Sequence, residues 1–442
     1  MVRRVVGVVL VAVACAALAV SASAEPVFRV AVAAGGGPAV SDSVSVERFG
    51  PVSARTVLVL TPGQSGGAGE YTFVARDLVG RVAGLQVWVV ARREQAFEDT
   101  SAIEAGDPDQ ALGYYLRGEP VNGRTFDPTP VSQVRFMAQW GLGLLVGDLR
   151  RVVHRAAAGG RRVILGGHSL GATVAEAYVS WDFAAHPGYR DLAGLALIDG
   201  GALGGTRALT LAQARAELAD IKTKGPRLDI FNQSAPYLYG VGSAIAGLYA
   251  HNRPQAASTM DSVPLLASAF APPFPATNQA WLGLASQALY PPKGRAVAHA
   301  GHPAPSGDPR AWIDGDVTPI DRLAQWTAQA PIAAFDWYVP RRLVLDVQAA
   351  GALTTTPVTR LLGLRLTHTR EIRLPLYAFQ TSQAAPTVLD GARRLAQRSR
   401  IPPPTLASET AMTHFDPLTA LTERNTFVRS VTPFVRRLVK LH

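Results

Sequence analysis

The sequence contains almost no cysteine. Cys15 is the single one in 442 residues, and it lies in an apolar stretch near the N-terminus. The body of the chain therefore has no disulfide framework, no zinc site built on thiolates and no thiol nucleophile. The sequence implies no metal and no organic cofactor, and a reactive nucleophile must be sought among hydroxyl, amine and carboxylate side chains.

Lysine is also scarce, since only four of the 43 basic side chains are lysines. The formal net charge is +10, yet no run of four basic residues and no basic patch interleaved with aromatic residues occurs. Proteins that bind nucleic acid usually carry their charge in such clusters. We therefore expect no nucleic-acid partner, and the arginine bias indicates a GC-rich genome.

Beyond residue 24 no apolar stretch is long enough to span a membrane. Residues 1–24 have the parts of an export signal: a basic start at Arg3 and Arg4, an apolar stretch and small residues before Glu25. We expect a signal peptide over 1–24 and a mature chain that is secreted or held in the cell envelope. A lipoprotein anchored through Cys15 is the alternative, although the preceding residues fit its cleavage signal poorly.

What the sequence does contain is a strand–turn–helix pattern around Ser169. An apolar run at 163–165 leads into Gly167 to Gly171, GHSLG, and a helical pattern follows from residue 172. This is the G-x-S-x-G form of a nucleophile elbow, in which small residues on both sides let a serine adopt a strained turn. A chain with 41 glycines could contain the pentapeptide by chance, so the alternative is a solvated serine in an ordinary turn.

Strand and helix patterns alternate around this motif. The strands are apolar without polar alternation, which is typical of a parallel sheet covered on both faces. Predicted strands cover 28–34, 43–49, 56–60, 85–91, 163–165, 192–198, 374–380 and 403–408. Predicted helices cover 72–84, 132–157, 172–183, 386–398 and 425–440. The stretch from 92 to 130 is predicted to begin with charged residues and continue as a loop.

The alternation stops between residues 202 and 370. Sixteen of the 32 prolines fall between 205 and 372, and the helical patterns there are isolated. They cover 209–222, 243–250, 277–290 and 320–327. Insertions of this length in compact domains are usually functional. We expect a core built from 25–201 and 371–442, with an inserted helical cap or lid at 202–370.

A serine hydroxyl needs a general base within hydrogen-bonding reach. Of the nine histidines, His414 alone follows a late strand in a loop that could lie over the elbow, whereas the turn directs the His168 side chain away. The base needs a carboxylate to orient it. Asp199 ends the strand after the elbow and is the candidate, with a turn-capping role as its alternative. Asp416 is too close to His414 in sequence to orient it.

A glycine-rich loop, TPGQSGGAG at 61–69, follows the predicted strand 56–60. It lacks the Gly-Lys-Ser/Thr ending of a P-loop and the regular spacing of a dinucleotide fingerprint. Its backbone N–H groups could still bind an anion. A plain solvated loop is the alternative.

These motifs together resemble the α/β-hydrolase superfamily over residues 43–201 and 374–440. The resemblance is carried by Pro62-Gly63-Gln64, by GHSLG and by Thr413-His414-Phe415-Asp416, in the family order of nucleophile, acid and base. It implies an α/β fold with a mostly parallel central sheet flanked by helices. It also implies Ser169 as nucleophile, His414 as base, and the N–H groups of Leu170 and Gln64 as oxyanion donors.

The sequence departs from the family pattern at two places. Pro62 stands where the family usually has a histidine, and residues 380–383, where the acid most often lies, contain no carboxylate. Some family members place the acid after the preceding strand, which is where Asp199 falls.

The resemblance implies acyl transfer through a covalent acyl-serine. Together with the predicted export and the large cap, it favours a small-molecule or lipid-like carboxylic ester with a sizeable acyl or alcohol part. An envelope acyltransferase and a peptidase would use the same triad and stay open as alternatives. A non-catalytic binding protein on the same scaffold is the alternative of another class, suggested by the missing carboxylate after Gln380.

Overall fold

The computed structural model describes residues 27–204, 208–229, 235–289 and 297–440. The predicted signal peptide and Cys15 lie outside these residues. Within the described ranges, none of the helices combines the length and the apolar character that crossing a membrane requires.

Eight strands form one central sheet in the order β1-β2-β4-β3-β5-β6-β9-β10. They are β1 (Val27–Ala31), β2 (Ser43–Phe49), β3 (Thr56–Thr61), β4 (Leu85–Val90), β5 (Arg162–His168), β6 (Gly194–Ile198), β9 (Leu376–Thr381) and β10 (Thr405–Glu409). All neighbouring pairs from β4 to β10 are parallel, and β2 alone runs against its two neighbours. A separate antiparallel ribbon consists of β7 (Gly301–Pro303) and β8 (Trp312–Asp314).

The α-helices of the described residues fall into three groups along the chain. Before β6 lie α1 (Thr72–Arg81), α2 (Ser101–Glu104), α3 (Pro108–Leu116), α4 (Leu142–Ala157) and α5 (Leu170–Ser180). Between β6 and β9 lie α6 (Leu211–Lys224), α7 (Leu238–Asn252), α8 (Pro264–Ala269), α9 (Asn278–Leu289), α10 (Ile320–Thr327), α11 (Arg341–Ala350) and α12 (Pro357–Leu362). After β9 lie α13 (Thr387–Arg398), α14 (Asp416–Thr419) and α15 (Thr426–Lys440).

Successive residues of a strand point to opposite faces of the sheet, and in this protein both faces are covered. In β3, Leu58 and Leu60 belong to one buried cluster, whereas Val57 and Val59 belong to the other. Side chains of α1 and α15 complete the first cluster, and side chains of α4 and α5 complete the second. This explains why the inner strands are apolar without alternation.

The prediction of a loop up to residue 130 is wrong, since α2 and α3 lie within it. Asp107 caps α3: its side chain accepts hydrogen bonds from the N–H groups of Asp109 and Gln110, and Pro108 occupies the first turn. Aspartate and proline are favoured at helix starts. They are also common in loops, which is why the sequence predicted a loop here.

The predicted helix at 132–157 is also interrupted. A 3-10 segment covers Val131–Gln139, and the α-helix starts only at Leu142. The Leu142 N–H donates to the Asp346 carboxylate at 3.0 Å, so a side chain distant in sequence caps the helix start. Burial raises the pKa of Asp346 to about 6, against the lowering effect of Arg342.

The segment between β6 and β9 adds no described strand to the central sheet. Its helix α7 is buried along most of its length and packs against α10, α9 and α3, while α11 packs against α4 and α5. The segment therefore contacts both the other inserted helices and the sheet-covering helices. The boundaries 202 and 370 of the predicted cap stay a prediction.

Candidate active site

Ser169 occupies the sharp turn between β5 and α5. Its backbone has φ 53° and ψ −122°, a conformation that costs free energy for a residue with a Cβ atom. The turn is possible because its neighbours are small: a Cβ on Gly167 would overlap the backbone of Gly171, and a Cβ on Gly171 would overlap the carbonyl oxygen of Thr61. The Ser169 N–H donates to Ile198 O at 2.9 Å, which fixes the turn against the end of β6.

The ends of three parallel strands bring three predicted residues together. Ser169 follows β5, Asp199 follows β6, and His414 lies in the loop after β10. His414 Nε2 is 2.9 Å from Ser169 Oγ, and His414 Nδ1 is 2.7 Å from Asp199 Oδ2. Residues separated by 245 and 215 positions in sequence thus form one continuous hydrogen-bonded chain.

The bonds of Asp199 determine the state of the imidazole. Burial alone would raise the pKa of Asp199, but the hydrogen bond and charge of His414 and the N–H of Thr381 hold it below its usual value. The ionised carboxylate only accepts hydrogen bonds, so His414 carries its proton on Nδ1. Nε2 is then the acceptor for the Ser169 hydroxyl, as a general base requires.

The stretch after β9 explains how the acid can come from β6. Thr381 donates its N–H to Asp199 Oδ1 at 2.6 Å and its hydroxyl to Oδ2 at 2.8 Å. Gln383 accepts the N–H of His414 at 3.2 Å. Thr381, the last residue of β9, and Gln383 therefore hold Asp199 and His414, although residues 380–383 supply no carboxylate themselves.

His168 supports the loop at residues 410–415, which carries His414 and is called the base loop. Its Nε2 donates to the carbonyl oxygen of His414 at 2.9 Å, and the two rings lie 4.4 Å apart. Burial lowers the pKa of His168 to about 3, so the ring is neutral and the tautomer is fixed by the carbonyl acceptor. Tyr71 braces the same region, accepting the His168 N–H at 2.6 Å and donating to Thr61 O at 2.8 Å.

A cavity of about 280 Å³ opens directly onto Ser169 and His414. One side is formed by the glycine-rich loop, including Gln64, and by the buried carboxyl of Glu70. The aromatic lining residues are Tyr239, Phe335 and Phe415, and Phe335 pairs with Gly66 of the glycine-rich loop. Tyr239 and Phe335 come from the segment between β6 and β9, so this segment supplies part of the cavity wall.

Comparison with solved structures decides the fold. A protein assigned as a lipase from Sulfolobus solfataricus superposes with a TM-score of 0.51 at 17% sequence identity, covering 93% of each chain. The chain has the α/β-hydrolase fold. This confirms the fold that the sequence motifs predict.

Two other solved structures share lower similarity. A thermophilic esterase from Thermogutta terrifontis has a TM-score of 0.41 at 12% identity, covering 94% of this chain and 100% of its own. A monoacylglycerol lipase from Paleococcus ferrophilus has a TM-score of 0.40 at 12% identity, covering 89% and 99%. No family model and no curated protein matches the sequence.

Leu170 and Gln64, the predicted oxyanion donors, both lie close to Ser169. Leu170 is the first residue of α5, so its N–H belongs to the helix start, where amides lack partners within the helix and favour an anion. Gln64 lines the cavity beside Ser169. Their role as donors stays a prediction.

The remaining described histidines lie elsewhere in the hydrolase fold or serve other contacts. His299 Nδ1 bonds Asp416 at 2.8 Å, and buried Asp416 also accepts the Thr318 hydroxyl at 2.8 Å and the Thr413 N–H at 2.7 Å. The Asp416 side chain thus ties the base loop to the segment between β6 and β9. His442 lies outside the described residues.

Sequence reasoning missed the roles of Glu70, Thr381 and Arg92. Glu70 follows the glycine-rich loop, and its carboxyl oxygen Oε1 accepts the Gly63 N–H at 3.0 Å. Arg92 is the first charged residue after β4. Because functional sites in this kind of sheet lie at the ends of the parallel strands, this position could have identified Arg92 as a candidate site residue. Among the residues that the structure describes, no group of three or more His, Cys, Asp or Glu side chains is arranged to hold a metal ion.

Proposed function

We propose that this protein is an exported serine hydrolase that cleaves carboxylic esters through an acyl-serine intermediate. The observation that carries the proposal is the chain of hydrogen bonds from Asp199 through His414 to Ser169, a residue that lines a cavity. A strained serine bonded to an oriented imidazole is the arrangement that nucleophilic acyl transfer needs. Export is supported by the signal-peptide pattern of residues 1–24.

The reaction proceeds in two halves. Ser169 Oγ bonds to the ester carbonyl carbon while His414 Nε2 takes the hydroxyl proton, and the N–H groups of Leu170 and Gln64 hold the oxyanion. Collapse breaks the bond to the leaving alcohol, which receives the proton from Nε2. Water then adds to the acyl-serine with the same assistance, releasing the acid and restoring Ser169.

The cavity walls suit an ester with an apolar group next to the carbonyl. Tyr239, Phe335 and Phe415 form an aromatic side, whereas the polar groups lie around Ser169 and the glycine-rich loop. Burial of apolar substrate surface against these rings stabilises binding by about 25 cal/mol for each Å² removed from water. We therefore propose lipid-like or other apolar esters as the substrate class.

The proposal is tested with the purified mature protein, expected to begin at Glu25. We expect hydrolysis of p-nitrophenyl esters, with rates that depend on acyl-chain length, and labelling by a fluorophosphonate probe. Peptide anilides cleaved in preference to esters would indicate a peptidase, and transfer to an added alcohol in preference to water would indicate an acyltransferase. A wild-type protein that binds esters but takes no label would be the non-catalytic binding protein.

Glu70 predicts a pH dependence of the reaction. Burial raises the pKa of Glu70 to about 8, although the Gly63 N–H, Arg92 and Tyr71 act to lower it, and neutral His168 lies 3.9 Å away. The carboxyl is therefore neutral below about pH 8 and negative above it, where its charge would oppose an oxyanion at the same cavity. We expect kcat/KM to fall as the pH rises through about 8, by up to about tenfold for each pH unit.

The variant Glu70→Gln tests this assignment. Glutamine retains an oxygen to accept the Gly63 N–H but does not ionise. Its profile of kcat/KM against pH should stay level where that of the wild type falls. An alkaline fall of equal size in both proteins would assign the titration to another group.

A further inference from the structure

Arg92 lies behind the glycine-rich loop and binds its backbone. The guanidinium is buried, and it donates to the carbonyl oxygens of Gly63 at 2.8 Å, Gln64 at 3.1 Å and Gly66 at 2.9 Å. Arginine suits this task because its planar fork directs several N–H groups at fixed angles. One side chain therefore fixes the course of the loop over three carbonyls.

The bond to Gly63 O has a particular consequence for Gln64. The Gly63 carbonyl and the Gln64 N–H belong to one planar trans peptide unit, so they point in opposite directions. A cation on the carbonyl orients the N–H away from Arg92 and polarises it as a donor. Arg92 does not line the cavity, whereas Gln64 does, so this places the N–H on the cavity side.

The preceding peptide unit is held as well. The Gly63 N–H donates to Glu70 at 3.0 Å, and Pro62 O accepts from Arg92 at 3.4 Å. Pro62 has no N–H and no polar side chain. The loop backbone is therefore held by hydrogen bonds from Arg92 and Glu70, and the Pro62 side chain contributes none.

Arg92 is in turn held by carboxylates and by the segment before α11. Its Nη2 lies 2.8 Å from Asp336 Oδ2 and its Nε lies 2.9 Å from Glu94 Oε1. The backbone of the same segment pairs with the loop, since the Asp336 N–H donates to Ser65 O at 3.0 Å and the Gly67 N–H donates to Ala334 O at 2.7 Å. The loop, Arg92 and Asp336 thus form one bonded unit.

We propose that Arg92 is a positioning residue that holds the Gln64 N–H in the oxyanion hole by binding the carbonyl of the same peptide unit. The inference rests on the proposed ester hydrolysis. It assigns to Arg92 an effect on the transition state, where the oxyanion exists, and little effect on the binding of the uncharged substrate.

A matched control is available in the next residue. Arg93 is buried to a similar degree and forms an ion pair with Asp148, with Nη2 2.5 Å from Oδ1 and Nε 2.8 Å from Oδ2. Its recorded hydrogen bonds go to Asp148 and to Ala33 O, and none reaches the glycine-rich loop. Arg93→Lys therefore removes a buried guanidinium without touching the Gln64 peptide.

The experiment compares Arg92→Lys with Arg93→Lys in the mature protein. We expect Arg92→Lys to lower kcat for a p-nitrophenyl ester about 100-fold, with KM changed less than about twofold. The inhibition constant of an alkyl boronic acid, which forms a tetrahedral adduct with Ser169, should rise by the same factor as kcat/KM falls. Arg93→Lys should leave kcat and the boronic acid inhibition within about threefold of the wild type.

Each outcome decides between the proposals. An active wild type with an unchanged Arg92→Lys, or equal losses in Arg92→Lys and Arg93→Lys, overturns the positioning role alone. A wild type without turnover or label overturns the proposed function and this inference with it. If Arg92→Lys does not fold, Asp336→Asn replaces it, because it leaves Arg92 in place but removes the negative charge of Asp336; a loss in kcat at constant KM supports the role, and unchanged kcat rejects it.

Discussion

Ser169→Ala is expected to lower kcat for ester hydrolysis by about 10⁶-fold. The variant removes the oxygen atom that we propose as the nucleophile, while His414 and Asp199 keep their mutual bond at 2.7 Å. Initial rates with p-nitrophenyl esters measure the loss directly. Labelling with a fluorophosphonate probe should disappear in parallel, since the probe bonds to the same oxygen.

Ser65→Ala is the matched control for this experiment. Ser65 lines the same cavity and is buried, but the hydrogen bond to His414 Nε2 comes from Ser169 and not from Ser65. We expect Ser65→Ala to retain label and most of its activity. Full labelling of Ser169→Ala, or loss of labelling in Ser65→Ala alone, would remove Ser169 as the nucleophile.

Asp199→Asn is expected to lower kcat by about 10⁴-fold. An asparagine can present its NH₂ group to His414 Nδ1, which favours the tautomer with the proton on Nε2, and that nitrogen can no longer accept the Ser169 proton. The variant also cannot stabilise the imidazolium that forms during reaction. The measurement is kcat at neutral pH, together with thermal unfolding to establish that the fold is intact.

Asp416→Asn separates the two carboxylates near the base. Asp416 is two residues from His414 but bonds His299, Thr318 and Thr413 instead of the His414 ring. We expect this variant to affect the unfolding temperature more than kcat, with kcat within about tenfold of the wild type. A larger loss of kcat in Asp416→Asn than in Asp199→Asn would transfer the role of the acid to Asp416.

The sequence predicted the sheet well because its strands carry strong local signals. The bounds predicted for β2 and for α10 coincide with those observed, and the predicted strands 56–60 and 85–91 differ from β3 and β4 by one residue each. Apolar runs ended by glycine or proline determine such elements locally. The fold class followed from their alternation with helices.

Helices that depend on distant partners were predicted less well. The helix predicted at 243–250 covers Leu238–Asn252 in the structure. The prediction started too late because Gly240 and Gly242 lower the helix propensity of the first turns. Gly240 is needed there, since a Cβ would overlap the ring of Trp337. Packing against Trp337, which is 97 positions away, therefore outweighs the low local helix propensity, and such a contact cannot be predicted from the neighbouring sequence.

The candidate site also has a part that the sequence predicted and a part that it did not. Residue type and strand order were enough to single out Ser169, His414 and Asp199, which the structure brings together. The ion pair of Arg92 with Asp336 joins residues 244 positions apart, and two of the three aromatic lining residues, Tyr239 and Phe335, come from between β6 and β9. Such contacts depend on how the chain folds back, so one sequence could not predict them.

The bonds that cross from the base loop to the segment between β6 and β9 limit how this architecture could be recombined. Phe415, beside His414, donates its N–H to Val297 O at 2.6 Å, and Asp416 accepts the Thr318 hydroxyl. Asp336 of the same segment holds Arg92. The segment is therefore not a detachable module: a chimera that exchanged it with that of another protein of this fold would retain Ser169, Asp199 and His414 but lose part of the frame that aligns them.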